Sequence, residues 1–99
     1  MVNTVKEIKE RIAAVGSRHA KLRAAALFGS CARNESTKTS DVDLLVSMDK
    51  SSTLADLEML RTDAEEAFGR PVDLVTTLEG APRYLVDGIR RDGVLVYER

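Results

Sequence analysis

Residues 29–46 read GSCARNESTKTSDVDLLV, a Gly29-Ser30 pair, ten further residues, and then Asp41-Val42-Asp43 opening an apolar run. The spacing unites two halves of a metal-assisted phosphate-transfer site. A small-residue turn admits a phosphate chain, and two carboxylates on one face of a strand can hold a divalent metal. From average residue usage, a chance match in a chain this short has odds on the order of one in a thousand.

Side chains two apart in a strand share a face, so Asp41 and Asp43 project together while Val42 points to the other side. Adjacent carboxylates repel unless a cation lies between them, and a buried unpaired charge is costly. A solvated Asp at a strand start is common, which suits Asp41 alone. It suits Asp43 less, because that residue sits inside the apolar run DLLV. Asp73 adds a third carboxylate, again two residues into a strand, in PVDLV. With these two strands parallel and neighbouring, Asp73 lies beside Asp43; the alternative is an edge-strand Asp facing water. Glycine at position 29 lets the backbone approach a ligand closely, and a helix just after it offers free N–H groups to a phosphate. The Ser30 hydroxyl can bond a phosphate oxygen.

The flanking patterns predict a small mixed sheet of about four strands covered by helices, an α/β (α+β) chain. Val5, Ile8, Ile12 and Val15 give residues 4–15 a helical stripe, with Thr4 and Glu7 as a capping box and Gly16 as the stop. Residues 22–28 (LRAAALF) read as a buried strand, 30–35 as a brief helix, 36–40 as a polar loop, and 41–47 as the second strand. Thr53 caps a helix whose stripe is Leu54, Leu57, Leu60, Ala64 and Phe68, closing at Gly69. Pro71 begins a third strand (PVDLVTT) and Pro82 the first turn of a helix through Leu85, Val86 and Ile89. Gly93 ends that helix, and Val94 to Tyr97 form a last strand. A whole helix joins the second and third strands, so they run parallel with a right-handed crossover. For Gly29 to meet Asp41, the first two strands must be antiparallel.

The chain's 99 residues read as one domain, 1–99, with 31% charged and 43% hydrophobic residues, as in an ordinary soluble protein. No apolar stretch reaches membrane-span length and residues 1–20 lack a signal-peptide core. Cys31 is the single cysteine, which makes the reducing cytoplasm the expected location. With 15 basic and 16 acidic side chains the net charge is −1, so the basic field that long nucleic acid demands is missing from the totals. A small anionic ligand bringing its own Mg2+ needs no such field. His19 reads as a surface residue and Cys31 as a small filler beside the site. Arg90-Arg91 reads as a last-turn pair complementing the helix dipole, and Leu54, Leu57, Leu60 and Phe68 as core.

Gly-Ser, ten residues, Asp-x-Asp and a later-strand Asp together resemble the polymerase-beta-type nucleotidyltransferases. Within them the match is to the minimal nucleotidyltransferases, often paired with a HEPN-domain partner. The likeness spans nearly the whole chain, from the leading helix through GRPVDLVT to GVLVYER. It implies that Asp41 and Asp43 ligate Mg2+, that Asp73 completes a two-ion site and helps activate the attacking group, and that Gly29 and Ser30 hold nucleotide phosphates. Arg33 matches a frequent family residue in Gly-Ser-x-Ala-Arg and could neutralise triphosphate charge; a solvated surface Arg is the competing reading. Asn34 departs from the family's usual Gly, but Asn tolerates the left-handed backbone better than most residues.

The resemblance implies AMP transfer from ATP. Because the catalytic core uses nearly all of the chain, the acceptor must largely position itself, which favours a docking protein. The expectation is a hydroxyl, Tyr first, on a HEPN-type toxin, with this chain as its antitoxin in a hetero-complex or oligomer. The rivals are a non-catalytic antitoxin acting by occlusion, and nucleotidyl transfer to a small molecule such as an aminoglycoside.

Overall fold

In a computed structural model, the elements run α1 (Val5–Gly16), β1 (Leu22–Phe28), β2 (Val42–Met48), α2 (Leu54–Phe68), β3 (Val72–Val75), α3 (Arg83–Asp92) and β4 (Val94–Glu98). The structure describes residues 4–29, 31–32, 41–76 and 82–99. The helix expected over 30–35 and the loop 36–40 lie outside the described residues, except for a turn at Cys31 and Ala32. Ser30 and Arg33 lie outside them too.

The four strands form one mixed sheet in the order β3-β2-β1-β4. β1 pairs antiparallel with both β2 and β4, and β2 pairs parallel with β3 across the α2 crossover. This is the topology required by the motif, since an antiparallel β1–β2 pair returns the chain from Gly29 to Asp41.

Alternation along β2 gives each face its job. Val42, Leu44 and Val46 are buried in the core, whereas Asp43, Leu45 and Ser47 belong to the opposite face. On the core side, α1 contributes Ile8, Ile12 and Val15, and α2 contributes Leu60, Ala64 and Phe68. α1 packs on α2 and β4, and α2 packs on β3. Each fully buried Val, Ile, Leu or Phe side chain of this set is worth about 1.5–3 kcal/mol of transfer free energy.

The start of α1 and both ends of α2 follow their sequence signals. The Thr4 side chain accepts the Glu7 N–H at 3.1 Å. At α2 the capping box joins Thr53 and Asp56, and Gly69 closes the helix in the left-handed region at φ 69°. Pro82 is the N-cap of α3 and not its first helical residue. β3 is shorter than PVDLVTT suggested.

Three further expectations need correction. Gly16 lies inside α1 and the chain turns at Ser17 without a left-handed residue; a Cβ at Gly16 would run into the Tyr97 ring. Its glycine serves close packing of α1 on β4. Leu54 is not core, being 76% exposed. It occupies the first position of α2 over an open depression shared with Met48 and Leu57, and only from Leu60 onward are stripe residues buried. His19 is not a free surface residue: its side chain is 12% exposed and Nε2 lies 2.6 Å from Asp63 Oδ2, joining the α1–β1 turn to α2. Among the described residues, no helix is long and apolar enough to cross a membrane.

Candidate active site

The site is built where three chain segments meet at one end of the sheet. β1 ends at Phe28, which pairs with Asp43 across the antiparallel ladder. Gly29 follows in the left-handed region at φ 75°. An L-residue is strained in that conformation, and a Cβ here would also strike Asp43 Oδ2. Gly29 therefore does two things, turning the chain and leaving room for the Asp43 carboxylate against the backbone.

β3 places the third carboxylate. In the parallel ladder Val42 pairs with Val72 and Asp43 with Asp73, so both aspartates share a face on neighbouring strands. Two bonds pin this register. The Val42 N–H donates to the Pro71 carbonyl at 2.8 Å, and the Val72 N–H donates to Glu65 Oε2 of α2 at 3.0 Å. Glu65 is itself held by Arg61 at 3.1 Å. Asp41 stands one residue ahead of β2 and is exposed. Cys31 is buried against this corner, its Sγ 3.7 Å from the Asp41 carbonyl, and fills space there as expected.

Burial, then the charges of Asp73 and Asp41, push the Asp43 carboxyl above its ordinary value. All three potential donors are hard oxygens of like charge, the set that suits Mg2+. Among the described residues no group of three or more His, Cys, Asp or Glu side chains is placed to hold a metal ion. Mg2+ does not require one, because it keeps several waters and is held by one or two carboxylates together with substrate phosphates. The residues present fit such an ion.

One wall was not foreseen. A cavity of about 370 Å³ beside Asp43 is lined by Phe28, Gly29, Tyr84, Gly88, Ile89 and Arg91. Tyr84, Gly88 and Arg91 recur at i, i+4 and i+7 on α3, a stripe overshadowed in the sequence by its apolar residues. Arg91 sits in the last helical turn as expected, but it also faces this cavity.

Residues 10–99 match the model of the family described as Polymerase beta, Nucleotidyltransferase. A protein of Methanocaldococcus jannaschii, named as a candidate protein adenylyltransferase, is 42% identical over 72 residues, covering 73% of this chain and 76% of the relative. A second candidate protein adenylyltransferase of that organism is 34% identical over 92 residues, covering 93% and 84%. Among solved structures, a candidate minimal nucleotidyltransferase aligns with TM-score 0.69 and 30% identity, over 92% of this chain and 94% of that one. The fold also matches a chain of a toxin–antitoxin crystal structure with AMP-PNP, at TM-score 0.71 and 23% identity over 92% and 73% of the two chains. It further matches a chain of a tri-AMPylated Shewanella oneidensis HEPN toxin in complex with an MNT antitoxin, at TM-score 0.66 and 21% identity over 97% and 74%.

Proposed function

Because this chain belongs to the polymerase beta nucleotidyltransferase family, we propose that it transfers AMP from ATP to a protein hydroxyl. The acceptor is a Tyr of a HEPN-type toxin, and the chain is that toxin's antitoxin, acting in the cytoplasm. The observation that carries the reading is the Asp43–Asp73 register pair set against the left-handed Gly29, with Asp41 adding charge to the same point. A purely occluding module has no use for mutually repelling carboxylates around a glycine turn.

In the reaction, the acceptor oxygen forms a bond to the α-phosphorus while the bond from that phosphorus to the pyrophosphate oxygen breaks. The hydroxyl proton leaves to a carboxylate or to water. Asp41, Asp43 and Asp73 would hold two Mg2+ ions, which when bound neutralise phosphate charge and align the entering and leaving oxygens. Gly29 would bring backbone close to the phosphates, and the family resemblance assigns Ser30 and Arg33 to the same phosphates through hydroxyl and guanidinium. Asp73 is exposed at the open side of β3, where an incoming hydroxyl can reach it. The family relatives named as adenylyltransferases support AMP as the transferred group, and the HEPN–MNT complex that shares the fold supports the partner class.

The test is incubation of the chain and its partner with labelled ATP and Mg2+. Label on the partner is expected, and Asp41→Ala with Asp43→Ala should reduce it on the order of 10³-fold while the complex survives. An intact complex without label would leave occlusion as the mechanism. Label on an aminoglycoside and none on protein would shift the reading to small-molecule transfer.

A further inference from the structure

The sheet face that carries Asp43 and Asp73 continues away from them as an apolar surface that the transfer chemistry does not use. Register arranges this face in ranks across the strands. Phe28, Asp43 and Asp73 share one rank. The next, two residues along from these, is Leu95, Ala26, Leu45 and Val75, apolar from edge to edge of the sheet. The core formed with α1 and α2 lies on the other face. Ala26 is the low point of the apolar rank, between Leu45 and Leu95, and with Ala24 it floors an open depression of about 510 Å³. Leu95 is 53% exposed on the rim. Among the described residues lining the depression, none carries a charge.

We propose that this apolar rank docks the segment of the acceptor protein that carries the reactive hydroxyl, through one apolar side chain seated over Ala26 between Leu45 and Leu95. The inference rests on the nucleotidyl-transfer reading and adds to it how the acceptor is recognised. Two residues of strand rise about 6.8 Å, so the docking rank lies about that far from the carboxylates. An acceptor segment bridges the two ranks when its hydroxyl and an apolar side chain share a face. That spacing is two residues in an extended segment or four in a helix, where the rise is about 6 Å. A hydroxyl delivered to Asp43 and Asp73 therefore brings its neighbours onto Leu45, Ala26 and Leu95. Charge argues against a second copy of this chain as the occupant. Face-to-face association would desolvate Asp43 and Asp73, and the lining of the depression offers no basic side chain to meet them. An acceptor segment arrives on carboxylates whose charge the metal and nucleotide of the proposed reaction already balance.

Leu95 is the residue to change, because a half-exposed side chain on an edge strand can be exchanged with little effect on the fold. Leu95→Lys and Leu95→Glu place opposite charges on the rim, and Leu95→Met keeps it apolar. Label transfer from ATP is followed against the concentration of the HEPN-type acceptor of the proposed function. Binding of ATP with Mg2+ is measured by calorimetry, and oligomeric state by light scattering. Both charged variants should raise KM for the acceptor about tenfold, the scale of one leucine leaving an apolar contact, with kcat and ATP binding unchanged. Leu95→Met should match wild type. An unchanged KM in both charged variants, a rise for one sign of charge only, or a parallel loss of ATP binding would remove this rank as the docking surface. So would a wild-type dimer that Leu95→Lys dissolves, which would make the face a contact between copies. A wild-type chain that binds Mg2+ and ATP yet labels no protein overturns the transfer reading and the docking surface with it.

Discussion

Asp56 and Asp43 are the same side chain in opposite surroundings. At the start of α2, Asp56 accepts the Thr53 N–H at 2.8 Å and the Lys21 ammonium at 3.1 Å, and the Thr53 N–H first, then Lys21, hold its carboxyl below the ordinary value. On the open face of the sheet, burial and two neighbouring carboxylates drive Asp43 the other way. One region satisfies its charges from within the chain; the other accumulates like charge. Folding alone does not explain the second set, and under the proposed function a cation with its phosphates would balance it.

The contrast can be broken from either side. The largest effect on stability is expected in the core that both regions share. Phe68→Ala removes a side chain with no solvent exposure and should cost about 3–5 kcal/mol, measured by urea denaturation. The carboxylate corner should respond in activity more than in stability. Gly29→Ala forces an L-residue into the left-handed region, at about 1–2 kcal/mol, and drives its Cβ toward Asp43. Displacing that carboxylate by about an ångström should lower turnover about 10²-fold. Equal activity in this variant would mean that Asp43 does not need its place beside the turn. The capped end should show the reverse pattern. Thr53→Ala loses the acceptor for the Asp56 N–H, 3.2 Å away, and should cost about 1 kcal/mol with turnover unchanged.

Acidification separates the two aspartates by sign. A raised carboxylate pKa means that the folded chain binds a proton more readily than the unfolded chain. The penalty from charged Asp43 is therefore complete above its raised pKa, shrinks as pH falls toward 3.8, and is absent below that value. The Asp56 contribution has the opposite sign. It is present above 3.8 and is lost only as pH falls further, through its lowered pKa. Stability differences of Asp43→Asn and Asp56→Asn from wild type should accordingly collapse in different pH windows, the first above 3.8 and the second below.

Much of this was legible in the chain. The alternation in DVDLLV fixes which side chains of β2 face the helices, and a helix-length crossover requires β2 and β3 to run parallel. Together these bring Asp73 beside Asp43. What stayed hidden depends on contacts distant in sequence. His19 meets Asp63 across 44 positions, and nothing local to either residue signals it. Gly16 carries a helix-stop signal, yet its glycine is required by a Tyr97 ring far along the chain. Leu54 has the right period for the α2 stripe, but period says nothing of where the packing beneath a helix begins. The α3 wall of the site escaped for a similar reason, since Tyr84, Gly88 and Arg91 acquire meaning only once β1 is known to end against them.

The central claim is that the carboxylate cluster costs the fold stability in order to hold a metal and a nucleotide, and one melting experiment addresses it. Wild type and Asp43→Asn are compared with and without Mg2+ and ATP. Without ligands, Asp43→Asn should melt above wild type, because it removes a charge that the fold disfavours. At ligand concentrations near 100 times Kd, wild type should gain about 2.7 kcal/mol and overtake the variant, which gains little. An Asp43→Asn protein that melts below wild type without ligands, or that gains as much from Mg2+ and ATP, would contradict the account.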